Sequence, residues 1–138
     1  MSDASVNYDP SRIYMQNRVA QPEPRLQFLG VLRPEKGFAP PEQVAIEKRE
    51  VVIGRQQGLG LSLPDDWVSH RHARILRVGD EFVLEDLRSS NGTYVDGVPI
   101  ISCVLRSGDW IQIGRNLFRF ELQLASATAL EDLTTWLE

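Results

Sequence analysis

The stretch NLFRFELQL, residues 116–124, decides the fold class of this chain. Apolar and polar side chains alternate through its second half, in the order Phe118, Arg119, Phe120, Glu121, Leu122 and Gln123. A period of two is typical of a β-strand with one buried face and one solvent-exposed face. The stretch therefore predicts a strand whose apolar side chains face a core.

Similar short runs precede this strand, and turn signals separate them. The runs are RLQFLGVL, KREVVIGR, HARILRV, EFVLEDL, GTYVDGVPI and GDWIQIG. The turn signals are Gly79-Asp80, Asp96-Gly97, Ser107-Gly108-Asp109 and Gly114-Arg115-Asn116. Asp-Gly supplies the positive backbone dihedrals of a tight hairpin. Many short strands at close spacing predict an all-β domain, either a sandwich or a barrel.

The two ends of the chain have a different character. The first two dozen residues are polar, contain three prolines and show no sustained apolar period, which predicts a flexible leader over residues 1–24. At the other end, SATALEDLTTWLE places Leu130, Leu133 and Leu137 at helical spacing after a cap at Ser126 or Thr128. We therefore expect one domain over residues 25–124 and a helical tail over residues 125–138.

Length and composition limit the class of protein. At 138 residues and 42% hydrophobic, the chain can bury one sizeable core. It has no apolar stretch of the roughly 18 residues needed to span a bilayer, and its start lacks the pattern of a signal peptide. These features predict a cytoplasmic protein without a membrane partner. The single cysteine, Cys103, is expected to be a core residue.

The charge is unevenly distributed. The formal net charge is -4, yet residues 51–77 carry four basic and only two acidic side chains. An acidic chain is a poor candidate for nucleic-acid binding, which requires many phosphates to be neutralised together. A small cationic site for one anionic group fits this distribution better.

Polar residues cluster where three predicted strands begin or end. Arg55 follows VVIG, Ser69 shortly precedes ARILRV, and Ser90 and Asn91 follow FVLEDL. Loops on a rigid sheet are common places for binding residues. These side chains offer a planar fork of donors, two hydroxyls and an amide, which together suit a phosphate attached to a peptide.

Four ordered motifs in this region resemble those of forkhead-associated (FHA) domains. The motifs are IGR, VSHRHARI, LEDLRSSNGTYVDG and LRSGDWIQIG, and the resemblance runs from about residue 44 to residue 124. It implies a sandwich of two mostly antiparallel sheets with about 11 strands. It also implies apical loops that bind a threonine-phosphorylated protein or peptide in extended form.

The resemblance also implies roles for individual residues. Arg55 and Ser69 would contact the phosphate, with His70 beside them, where many members have arginine or asparagine. Ser90 would help to hold the phosphate or its loop, and Asn91 would bond the peptide backbone. Three further positions match family positions that are mainly architectural: Gly54, His72 and Gly92.

Simpler interpretations of several residues stay open. Ser69 could cap a turn, a role compatible with phosphate binding. Arg71, which we include in the candidate peptide surface, could belong to the solvated face of a strand. Asn91-Gly92 could form only a hairpin turn. His70 and His72 lack a third histidine or cysteine ligand, so we expect neither a metal site nor a cofactor.

Other functions are less consistent with the sequence. Ser69, His72 and Asp86 could be imagined as a hydrolase triad, but the chain lacks a nucleophile elbow. GRQQGLGLS lacks the lysine of a phosphate loop, so we expect no enzyme. The rival hypothesis is a scaffold of the same fold that no longer recognises phosphate and binds its partner in another way. The ligand could also be the protein's own tail, phosphorylated at Thr134 or Thr135.

Overall fold

A computed structural model describes residues 28–124, which form eleven strands. The strands are β1 (Phe28–Lys36), β2 (Val44–Ile46), β3 (Glu50–Gly54), β4 (Leu61–Ser62), β5 (Ala73–Val78), β6 (Glu81–Asp86), β7 (Thr93–Val95), β8 (Val98–Ile100), β9 (Ser102–Val104), β10 (Trp110–Ile113) and β11 (Asn116–Leu124). Both the predicted leader, residues 1–24, and the predicted helical tail, residues 125–138, lie outside the described residues.

The strands form two sheets, and the predicted all-β sandwich is confirmed. One sheet has the order β2-β1-β11-β10-β7-β8, and the other has the order β4-β3-β5-β6-β9. All neighbouring strands with a recorded register pair antiparallel except β3 and β4, which pair in parallel. The sequence patterns do not predict β2, β4 and β9, which have only two or three residues, as separate strands.

The inward-facing side chains of both sheets build one apolar core. Phe118 and Phe120 of β11 are fully buried, as their alternation predicts. The ring centroids of Phe120 and Phe82 are 5.5 Å apart. Leu122 continues the same alternation but is 38% exposed. Cys103 packs against the core and is only half-buried, because β9 is the edge strand of its sheet.

The turns follow the predicted chemistry. Asp96 and Gly97 both have positive φ, 51° and 81°, and join β7 to β8 in a two-residue hairpin. Asn91-Gly92 is different, because the strands on either side of it, β6 and β7, belong to different sheets. The interpretation of Asn91-Gly92 as a hairpin turn is therefore wrong.

Strand register brings the loops of interest to one end of the sandwich. Ile53, Ala73 and Asp86 lie side by side across β3, β5 and β6. The chain leaves β3, enters β5 and leaves β6 at this row, so those three loops emerge together.

Within residues 28–124, no helix is long and apolar enough to cross a membrane.

Candidate functional site

The site begins at the junction of β3 and the loop before β5. The Arg55 amide donates to the Ser69 carbonyl at 2.9 Å, and the Gln56 amide donates to the His70 carbonyl at 3.2 Å. Gly54 makes this approach possible, because an added Cβ would overlap the carbonyl oxygen of His70. Only glycine permits such close backbone contact without displacement. A side chain at position 54 would therefore displace the loop before β5.

Arg55 and His70 are adjacent at the surface. The Arg55 Nη2 atom lies 3.3 Å from the His70 Nε2 atom, and the Arg55 side chain is 37% exposed. Arginine has no acceptor, so in this contact Arg55 donates and His70 accepts. The two side chains are thus placed to meet the same anion.

Ser69 connects two of the loops. Its Oγ accepts a hydrogen bond from the Ser90 amide at 3.0 Å. A serine hydroxyl has one proton and two lone pairs, so this bond leaves the proton available to a ligand. The Ser90 side chain is exposed in the same region. Ser69 therefore positions the loop after β6 and still offers a donor.

His72 lies fully buried beneath these residues. Its Nδ1 accepts from the Ser69 amide at 3.0 Å, so Nε2 carries the proton and donates to the Gly92 carbonyl at 2.8 Å. Both ring nitrogens are thereby bound to main chain. His72 thus connects the main chain at Ser69 and at Gly92, and its ring is not free to act as a base toward the Ser69 hydroxyl.

The loop after β6 is built on Asp86. The Asp86 carboxylate accepts from the Ser89 amide, the Ser89 hydroxyl and the Thr93 hydroxyl. Burial alone would raise the pKa of Asp86, but the hydrogen bonds from Ser89 and Thr93 lower it below its usual value. Asp86 is therefore committed to the loop and not to a triad with His72.

Ser89 also supports this loop, although the sequence motifs point to Ser90 and not to Ser89. The Ser89 hydroxyl also accepts from the Gly92 amide at 2.9 Å. Gly92 itself has a φ of +86°, a conformation that favours glycine. The three-residue spacing from Asp86 to Ser89 is the signal that could have identified this capped turn.

Asn91 and Arg71 complete the predicted set. The Asn91 Nδ2 atom donates to the Trp67 carbonyl at 2.8 Å, which links the loop after β6 to the loop before β5. Arg71 is exposed in the loop before β5, two residues before the strand begins. The sequence-predicted residues therefore lie on neighbouring loops at one end of the sandwich.

A buried carboxylate, which no sequence pattern predicts, supports the loop before β5. Asp65 is fully buried and accepts from the Trp67 amide, from the Arg115 amide and guanidinium, and from the Asn116 side chain, at 2.8–3.0 Å. Burial alone would raise the pKa of Asp65, but the hydrogen bonds from Trp67 and Arg115 outweigh it and lower the pKa. Asp65 thus fixes the segment that carries Trp67 and Ser69.

The site does not have the composition of a metal centre. Among residues 28–124, no three His, Cys, Asp or Glu side chains are grouped so that they could hold a metal ion. The donors gathered at this end are arginine, histidine, hydroxyl and amide groups, which suit an anion.

Known proteins resemble this region in both sequence and fold. The family described as FHA domain matches residues 51–114. The FHA domain-containing protein FhaB of Mycobacterium tuberculosis is 38% identical over 74 residues, which are 53% of this chain and 48% of that protein. The match therefore spans about half the length of this relative.

Solved structures of similar fold extend the comparison. A structure from a structural and functional analysis of phosphothreonine-dependent FHA domain interactions has a TM-score of 0.64 and is 30% identical; the match covers 69% of this chain and 97% of that one. The FhaA FHA domain, solved in complex with the intracellular domain of Rv3910, has a TM-score of 0.62 and is 32% identical. That match covers 67% of this chain and 99% of the other.

Proposed function

Because this chain belongs to the FHA domain family, we propose that it binds threonine-phosphorylated proteins and thereby mediates phosphorylation-dependent contacts between proteins. The observation that carries the proposal is the convergence of Arg55, Ser69 and His70 at one end of the sandwich. One relative of known structure comes from an analysis of phosphothreonine-dependent FHA domain interactions, and another was solved in complex with a protein domain.

The phosphate chemistry follows from the donors present. A phosphothreonine carries between one and two negative charges and three acceptor oxygens. Arg55 supplies a planar fork of charged donors, and Ser69 supplies the hydroxyl proton that its bond from Ser90 leaves free. His70 stands against the same guanidinium at 3.3 Å. Together these groups can satisfy most of one phosphate.

The peptide on either side of the phosphate needs its own contacts. Asn91 is held by its bond to the Trp67 carbonyl, so its amide is positioned before a ligand arrives. A preorganised amide loses less conformational freedom on binding. We propose that Asn91 bonds the peptide backbone and that exposed Arg71 and Ser90 border the same path.

The proposed mechanism is recognition without turnover. A Ser69–His72–Asp86 triad would need His72 to accept a proton from the Ser69 hydroxyl. In this fold, His72 instead uses Nδ1 for the Ser69 amide and Nε2 for the Gly92 carbonyl. The function is therefore that of a binding module, and we propose no enzymatic activity.

The direct test compares an oriented phosphothreonine peptide library with its unphosphorylated counterpart, using calorimetry for the selected sequences. We expect measurable binding only for phosphorylated peptides, because only the phosphate supplies charged acceptor oxygens that can replace the water bound to the donors of the site. Equal affinity for both forms would favour a scaffold that does not read phosphate. The tail carrying Thr134 or Thr135 lies outside the described residues and stays a predicted ligand.

Phosphothreonine should bind more tightly than phosphoserine in the same selected peptide. The family resemblance implies a small pocket for the threonine methyl, and burying one methyl contributes about 0.8 kcal/mol, or roughly fourfold in affinity. Titration of the matched pair of peptides measures the difference. Indistinguishable dissociation constants would show that the methyl group is not buried.

A further inference from the structure

Two adjacent aspartates next to the site have opposite environments. Asp65 is fully buried, with its carboxylate held by Arg115 and Asn116. The Asp66 side chain is 93% exposed, and its Oδ1 atom lies 3.7 Å from the Arg55 Nη1 atom. Asp66 is thus an exposed anion in contact with the arginine that we assign to phosphate.

Arg55 is shared between two partners in the free protein. Its Nη1 atom faces Asp66 and its Nη2 atom faces His70, at 3.7 and 3.3 Å. An arriving phosphate competes with Asp66 for the guanidinium of Arg55. The phosphate displaces Asp66 because it carries more charge and more acceptor oxygens. Releasing an exposed carboxylate to water costs little. Asp66 then remains beside the bound phosphate without its cation.

A carboxylate in this position acts on the ligand in two ways. It repels the phosphate, and it attracts any cation that the peptide brings close to it. Both interactions take place at the surface, where charges a few ångströms apart still change affinity by a few fold at moderate salt. The effect depends on the sequence next to the phosphothreonine and not on the phosphate alone.

We infer that Asp66 is a specificity-determining residue, which favours phosphothreonine peptides with lysine or arginine close to the phosphate. This inference rests on the proposed function of the same site. Arg71, exposed on the other side of Ser69 along the chain, would favour acidic peptides. The net preference of the protein for basic or acidic peptides is therefore the sum of the effects of Asp66 and Arg71. The contribution of Asp66 is measured by replacing this residue.

The test is a double-mutant cycle between Asp66 and the peptide. A selected phosphothreonine peptide is made with lysine, glutamine or glutamate at each of about three positions on either side of the phosphate. We expect D66N to tighten the glutamine peptides roughly two- to fivefold, and to lower the lysine-to-glutamate affinity ratio about fivefold at the position nearest Asp66. The ratio should respond less in high salt.

D80N is the matched control. Asp80 is also exposed, and it lies in the β5–β6 turn, at the end of the sandwich opposite the row that contains Ala73 and Asp86. D80N removes the same charge and should leave every ratio within about twofold of the parent. Lysine-to-glutamate ratios that are equal in the parent and in D66N at every position would overturn the role of Asp66. A parent that binds phosphorylated and unphosphorylated peptides equally would instead overturn the proposed function, and this inference with it.

Discussion

Replacing Arg55 by alanine is expected to lower the affinity for a phosphothreonine peptide by a factor of tens to hundreds. The variant loses a charge-assisted, two-pronged contact, which corresponds to about 2–4 kcal/mol of binding free energy. The fold should persist, because the Arg55 side chain is 37% exposed and its ion pair with exposed Asp66 contributes little to stability. Calorimetry and thermal unfolding measure the two quantities separately.

Two further variants make the Arg55 result specific. Arg55→Lys keeps the charge but loses the planar fork, so its affinity should fall between those of the parent and the alanine variant. Arg33→Ala removes a cation from β1, where the arginine is exposed and pairs with Glu121 at 3.3 Å, and should change affinity less than about twofold. If Arg55→Ala folds and binds like the parent, Arg55 is not the phosphate ligand.

Much of the fold could be predicted from local sequence patterns. The alternation around Phe118 and Phe120 and the Asp96-Gly97 turn are local signals, and both features are present as predicted. Strands as short as β4 and β9, with two and three residues, are too short to show an alternating pattern of their own. Leu122 shows the same limit, since it continues the alternation of its strand and is nevertheless 38% exposed.

The candidate site shows a similar division. Arg55, Ser69 and Asn91 could be predicted because they flank recognisable strands and belong to ordered motifs. Asp65 could not, because its role depends on Arg115 and Asn116, which lie 50 and 51 residues further along the chain. In sequence, Asp65 and Asp66 are an identical pair. Only the fold shows that Asp65 is buried in a hydrogen-bond network and that Asp66 faces Arg55.

The buried carboxylate of Asp65 leads to the largest expected change in stability. Asp65→Asn replaces an acceptor oxygen by an NH₂ group that faces donors from Arg115 and Asn116. The variant loses the buried charge and places donors against donors inside the protein. Together these changes should lower the free energy of unfolding by about 3–5 kcal/mol. Chemical denaturation measures this change. Asp66→Asn, at the adjacent exposed position, should stay within about 0.5 kcal/mol of the parent.

The cost of Asp65→Asn should depend on pH in a defined direction. Burial acts to raise the pKa of Asp65, but the hydrogen bonds from Trp67 and Arg115 lower it below that of the unfolded chain, which is about 3.9. Between the two values the unfolded chain binds the proton, so stability rises with pH there. The contribution of the ionised group is complete above the unfolded pKa and is lost as pH falls through the folded value. The stability gap between parent and Asp65→Asn should therefore narrow below about pH 4.

Because Asp65 also fixes the Trp67 amide, its loss should reach the binding site. Trp67 holds Asn91 through its carbonyl, so a loosened loop would weaken phosphopeptide binding even under conditions where the variant remains folded. Stability and affinity measured near neutral pH, for Asp65→Asn and Asp66→Asn side by side, separate the two adjacent residues. If Asp65→Asn were as stable as the parent and its stability had the same pH dependence, the buried carboxylate would not be the group that holds this loop.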